Sequence, residues 1–117
     1  YFGHTRFPLQ KLRSLGFNIC LGTDSLATTA SLSLFEEMRE LHRREPALAP
    51  NEIIEMVTVN PAEALRLKAN LGRIKPGYLA DLISIPAASG DDVCEQIIGC
   101  EKPISWIMIG GHALDSA

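Results

Sequence analysis

The residue best placed to do chemistry is Asp24. It follows a short apolar run, Phe17-Asn18-Ile19-Cys20-Leu21, bounded by Gly16 and Gly22 and continued by Thr23, Asp24 and Ser25. That run reads as a buried strand of the kind found in parallel sheets. In parallel α/β folds the strand-to-helix loops converge at the C-terminal strand ends, where ligands and catalytic groups collect. A carboxylate there can ligate a metal or move a proton. It can equally cap a turn through backbone hydrogen bonds, and position alone leaves both roles open. The three histidines, His4, His42 and His112, show no metal-ligand spacing with one another. His4 lies in an aromatic segment, Tyr1 to Phe7, ahead of a helix; it suits either a site residue or a partly buried structural one. His42 and His112 are expected at the surface. No serine or cysteine sits in a nucleophile motif, so these residues do not make a complete active site.

The elements that must position Asp24 follow from periodicity and punctuation. Leu9, Leu12 and Leu15 recur at helical spacing, and Gly16 suits the helix end. A helix, a glycine and a buried strand form the rhythm of an α/β unit. Ser33 and Glu36 have the capping-box spacing ahead of a stripe formed by Leu34, Met38 and Leu41. Pro50 suits the first position of another helix, and Asn60-Pro61 suits the cap and first position of a third, with Leu65 and Leu67 behind it. Beyond Gly72 the character changes. Pro76-Gly77 fits the centre of a type II turn, Leu82 to Ile85 a strand, Asp91 to Ile98 a short helix, and Gly110-Gly111 a hairpin joining Ile104–Ile109 to His112–Leu114. The expected class is therefore α/β for residues 1–70, with a mostly β segment over residues 71–117.

Composition narrows the partners. The chain has 117 residues, 46% hydrophobic and 21% charged, within the range of ordinary globular domains. Its net charge of −3 gives no basic surplus to neutralise a phosphate backbone, so no nucleic-acid partner is expected. Arg39, Arg43 and Arg44 are interleaved with Glu40 and Glu45 and read as a solvated helix face. Three cysteines, Cys20, Cys94 and Cys100, match no zinc spacing, and their odd number argues against a disulfide framework. Cys20 reads as a small core residue, and the cytoplasm as the compartment. No stretch reaches the length of a membrane span, so no membrane partner is expected. The chain begins at Tyr1 without a Met, and further sequence is expected upstream.

Three segments together resemble the C-terminal region of the amidohydrolase superfamily, in its chlorohydrolase and aminohydrolase branch. Asn18-Ile19-Cys20-Leu21-Gly22-Thr23-Asp24-Ser25 resembles that family's eighth barrel strand, ending in a metal-site aspartate. Thr58-Val59-Asn60-Pro61-Ala62-Glu63-Ala64-Leu65 resembles the helix start after the barrel. Leu71-Gly72-Arg73-Ile74-Lys75-Pro76-Gly77-Tyr78-Leu79-Ala80-Asp81-Leu82-Ile83 resembles the return into a small flanking β-sandwich. Their order and spacing are more specific than any one of them. The resemblance implies a (β/α)8 barrel, of which this chain would hold the last βα unit and its helices, followed by strands of the sandwich. A whole barrel takes about 250 residues.

The resemblance also implies roles. Asp24 becomes a metal ligand and catalytic group, with zinc or iron as the divalent cation, and helps activate the hydrolytic water. His4 becomes substrate-binding, and Ser25 orients Asp24 from behind. Asp81 is expected to be structural, holding backbone donors where the chain enters the sandwich. The family's other ligands are histidines on earlier strands, absent from this sequence, and Asp24 alone does not hold zinc, which takes three protein ligands. The implied parent enzyme deaminates or dechlorinates a heterocycle or nucleoside, a small-molecule substrate such as an adenosine derivative, triazine or pyrimidine, and this chain alone is expected to be inactive. A cyclic-amide hydrolase of imidazolonepropionase type and a non-catalytic folding or oligomerisation domain are the alternatives. Apolar surface left by a cut barrel points to a homo-oligomer.

Overall fold

The computed structural model describes residues 7–25, 31–87, 89–90 and 92–114. Five helices and three strands occur among them: α1 (Leu9–Ser14), α2 (Leu34–Arg44), α3 (Pro50–Val57), α4 (Val59–Ala64), β1 (Leu82–Ser84), α5 (Val93–Ile98), β2 (Trp106–Ile109) and β3 (His112–Leu114). No helix among the described residues is long and apolar enough to cross a membrane.

The core is helical. Leu9 of α1, Met38 of α2, Leu48, Ile53 and Met56 of α3, and Ile98 of α5 form one buried cluster, with Ile19, Leu21, Phe35 and Leu41 against it. Of the expected α2 stripe, Met38 is only 3% exposed and Leu41 packs against the cluster, with Phe35 in place of Leu34 beside them. Ile98 matters for organisation. Through it α5, which lies in the C-terminal segment, joins the core of the helices that precede the sheet, and Arg39 of α2 donates to the Cys100 carbonyl at 2.7 Å beside it. Asp92 caps α5, accepting from the amides of Cys94 and Glu95.

The sheet is antiparallel, ordered β1-β2-β3. Its register pairs Ile83 with Ile107, and Ile107 with Leu114. Because side chains alternate across a strand, Ile83, Ile107, Ile109 and Leu114 share one face. Ile83, Ile109 and Leu114 on that face are exposed. Gly110-Gly111 turns β2 into β3 with both residues at positive φ, +57° and +83°, which the hairpin requires and glycine supplies without a steric penalty. Asp81 accepts from the Gly110 amide at 2.6 Å, and Ala80 O accepts from Gly111 N at 3.1 Å. The expected structural role of Asp81 is thus met by a bond that ties the start of β1 to the hairpin tip. Pro76-Gly77 forms the expected turn, closed by Tyr78 N to Lys75 O at 3.1 Å, with Gly77 at φ +87°.

Four local expectations need correction. Phe17 to Leu21 forms no ladder, since none of the described strands pairs with it. Only its Ile19 and Leu21 side meets the core; Phe17 is 60% exposed and Cys20 is exposed, so Cys20 is not a core residue. The Ser33–Glu36 capping box does not form. The Ser33 side chain makes no cap bond, while Ser31 Oγ accepts from the Ser33 amide and donates to Glu36 Oε2. Asn60 does not cap a helix. The fourth helix starts two residues earlier than expected, at Val59, with Thr58 before it, and Leu65 and Leu67 are exposed. His42 is not a plain surface residue. Its Nε2 lies 3.3 Å from Glu95 Oε2 of α5, and its Nδ1 is buried without a hydrogen-bond partner.

Candidate active site

Asp24 is exposed and follows the segment 17–23, which α3 and α4 hold in place through three hydrogen bonds. The Leu21 amide donates to Met56 O at 2.9 Å. Met56 lies in the last turn of α3, where carbonyls have no partner within the helix, so this bond satisfies an orphan acceptor as well as the segment. The other two bonds are reciprocal. Asn18 Nδ2 donates to Asn60 O at 2.8 Å, and Asn60 Nδ2 donates to Ile19 O at 2.8 Å. Two carboxamides, one from each side, thus fasten consecutive residues of the segment to the start of α4. At the far end, the Ser25 backbone amide donates to Asp24 Oδ1 at 2.8 Å.

The predicted site residues therefore divide. Asp24 and Ser25 are adjacent and hydrogen-bonded. His4, expected to face substrate, lies outside the described residues. Among the described residues no group of three His, Cys, Asp or Glu side chains is arranged to hold a metal ion. The residues described do not fit a metal by themselves, and Asp24 contributes at most one ligand. Sequence analysis missed Asn18 and Asn60 as partners. The available signal was Asn18 itself, a carboxamide inside an otherwise apolar run. Such a group must find hydrogen bonds when the run packs down, and it calls for a polar partner elsewhere in the chain.

A separate open cleft of about 520 Å³ lies between α3 and the segment after Gly72, lined in part by Glu55, Thr58, Arg73, Lys75 and Cys94. Asp24 is not among its walls. Burial pushes the Cys94 thiol up from its ordinary pKa, with the nearby Asp92 and Glu95 charges adding to it, so the thiol is the dominant form there at neutral pH. That protonation leaves the cleft without a thiolate nucleophile. Gly72 closes one wall of the cleft with φ +84°, its α-carbon so close to the α3–α4 junction that a β-carbon would lie 2.8 Å from Thr58 O.

The model of the amidohydrolase family matches residues 1–111. The 5-methylthioadenosine/S-adenosylhomocysteine deaminase of Pyrococcus furiosus is 45% identical over 86 residues, 68% of this chain and 20% of that protein. The 5'-deoxyadenosine deaminase of Methanococcoides burtonii is 39% identical over 85 residues, 67% of this chain and 19% of that protein. The chain thus spans about a fifth of the length of these curated relatives. Among solved structures, an adenosine deaminase from Xanthomonas campestris with bound zinc superposes with a TM-score of 0.80 over 91% of this chain and 27% of its own, at 23% identity. An amidohydrolase superposes with a TM-score of 0.66 over 93% of this chain and 25% of its own, at 25% identity. The likeness of fold is to proteins of the (β/α)8-barrel architecture, and with a family match over nearly its whole length this chain belongs to the amidohydrolase family.

Proposed function

We propose that this chain supplies the closing part of the active site of a hydrolytic deaminase, acting on the exocyclic amine of an adenosine-type nucleoside. Residues 1–70 then belong to the barrel, as its last βα unit and following helices, and residues 71–117 to the flanking β-sandwich. Identities of 39–45% to enzymes named for 5'-modified adenosines support the substrate class. The observation that carries the reading is the carboxylate of Asp24, exposed at the end of a segment that three hydrogen bonds fix to α3 and α4.

Hydrolytic deamination needs a group that takes a proton from the attacking water and returns one to the departing amine. A carboxylate within reach of both does this, and the products are the oxo-purine and ammonia. Asp24 is that group, and the Ser25 amide on Oδ1 restricts how its carboxylate turns. His4 contacts substrate. A divalent cation, zinc or iron, would take its remaining ligands from beyond the described residues. The chain alone is inactive, because one carboxylate is not a site. The parent enzyme works in the cytoplasm, on a small molecule, as a homo-oligomer.

Asp24→Asn in the enzyme that carries this chain tests the reading. The carboxamide keeps the shape and loses the proton acceptor. Loss of at least about a hundredfold in kcat is expected, the scale of a general acid–base contribution, with unchanged far-ultraviolet circular dichroism. Ammonia release from 5'-deoxyadenosine at the wild-type rate would remove Asp24 from the chemistry.

A further inference from the structure

We infer that Asn60 is a positioning residue for Asp24, acting through the backbone of residues 18–21; this rests on the catalytic reading of Asp24. The sequence offers Asn60 an ordinary task, capping the helix that Pro61 continues, and the structure gives it a different one. The helix starts ahead of it, at Val59, and Thr58 occupies the cap. The Asn60 side chain instead reaches across to Ile19 O at 2.8 Å, while its own carbonyl takes the Asn18 carboxamide at 2.8 Å. Asn60 Nδ2 to Ile19 O and Leu21 N to Met56 O engage the main chain of the segment, the third bond leaves it through the Asn18 side chain, and together they fall on Asn18, Ile19 and Leu21, three to six residues before Asp24.

That placement has a physical consequence. Within this chain no described strand pairs with the segment, so these bonds are what tie its backbone to the helices that follow it. Its apolar contacts through Ile19 and Leu21 are non-directional and tolerate sliding. Hydrogen bonds to backbone atoms set position along the chain, because a shift of one residue would present a group of the wrong polarity. Asn60 is part-buried, so a lost donor leaves the Ile19 carbonyl short of a partner. Displacing a reacting carboxylate by about 1 Å costs on the order of a hundredfold in rate.

Three variants of the complete enzyme test this. Asn60→Asp keeps the shape but replaces the N–H donor by a carboxylate facing the Ile19 carbonyl. Asn60→Ala removes the group. Thr58→Ala, which loses only a bond inside α3 to Ile54 O, is the control for damage to the same helix junction. Expected for both Asn60 variants is a fall in kcat of roughly ten- to a hundredfold with KM within about threefold, since the reacting group is misplaced while most substrate contacts remain. Hydrogen exchange at the amides of Leu21 to Asp24 should speed up in the Asn60 variants and not in Thr58→Ala, a readout independent of turnover. A merely structural role would give the same exchange and kcat changes in all three variants and would overturn the inference. So would wild-type kcat in Asn60→Asp. Asp24→Asn separates the premises: if it retains activity, the Asp24 reading fails and this inference with it. If Asp24→Asn is inactive while Asn60→Asp is fully active, only the positioning role fails.

Discussion

Replacing Gly72 by Ala imposes two penalties that a second glycine allows to be separated. Gly72 has φ +84°, and an alanine held there occupies the left-handed region at about 1–2 kcal/mol. Its β-carbon would also stand 2.8 Å from Thr58 O, 3.0 Å from Ala62 Cβ and 3.1 Å from Val59 Cα. The first and last of these are backbone atoms at the α3–α4 junction, which cannot swing aside as a side-chain tip can, so the overpacking penalty of about 1–3 kcal/mol applies in full. Together Gly72→Ala should destabilise by about 2–5 kcal/mol, a large share of the roughly 5–15 kcal/mol that holds a domain folded. Gly77 has nearly the same φ, +87°, but nothing lies within 4 Å of its added β-carbon. Gly77→Ala should therefore show the backbone penalty alone, about 1–2 kcal/mol. Urea denaturation followed at 222 nm gives both values, provided the m-values agree. Equal losses at the two positions would refute the claim that close approach, rather than turn geometry, requires glycine at position 72.

Arg66 is the one non-glycine residue with positive φ, 60°, among those described, and it ends α4 with Arg66 N bonded to Glu63 O and Leu67 N to Ala62 O. This is the Schellman arrangement, so Arg66→Gly should raise stability by about 0.5–1 kcal/mol, and a loss in denaturant midpoint would contradict the assignment. Hydrogen bonds from Arg43 and Arg44 hold the Glu40 carboxyl at about 2, below its ordinary 4.5. Its stabilising effect is then complete above 4.5 and disappears as pH falls toward 2, so the melting-temperature gap between wild type and Glu40→Gln should close across that interval, and a constant gap from pH 6 to 2 would exclude it. If a second copy covers the exposed face bearing Ile83, Ile109 and Leu114, sedimentation should give more than the 12.8 kDa monomer mass, with Ile109→Lys shifting the mass toward it, and a monomer mass for the unaltered chain would exclude that cover.

How far the sequence alone could go depended on whether a signal was local. Gly77, Gly110 and Gly111 mark turns whose backbone angles are decided within four residues, and the structure has all three at positive φ. The pairing of Met38 with Leu41 on one helix face needs only helical periodicity and a core to meet. The Phe17–Leu21 run was different. Apolar content says that a segment is covered, but a strand exists only through its neighbours, and none of the described strands lies beside it. The same limit applied to Asn60. Position next to Pro61 suggested a cap, whereas its partner stands 41 residues away, at Ile19, a separation that no local rule detects. Asp24 was legible as a residue type at a chain position; what fixes it there was not.

The first of the three stretches whose resemblance identified the family is far from the other two in sequence, yet all three meet at one place, and that meeting explains why they occur together. Asn18, Ile19 and Leu21 of the first bond to Asn60 and Met56 at the junction of α3 and α4. The second begins at that junction, with Thr58 and Val59. Gly72 of the third packs against Thr58 O and Val59 Cα with no room for a side chain. The short turn between two helices is therefore gripped by Asn18 and Ile19 through Asn60 and by Gly72 through Thr58. A shift of the junction by a few tenths of an ångström, which is what a β-carbon at position 72 demands, is passed through Asn60 to the segment carrying Asp24. In the complete enzyme, Gly72→Ala should accordingly lower kcat even at temperatures where the protein stays folded, although the atoms its β-carbon would meet belong to Thr58, Ala62 and Val59 and not to Asp24. Gly77→Ala, whose added β-carbon meets nothing within 4 Å, should not.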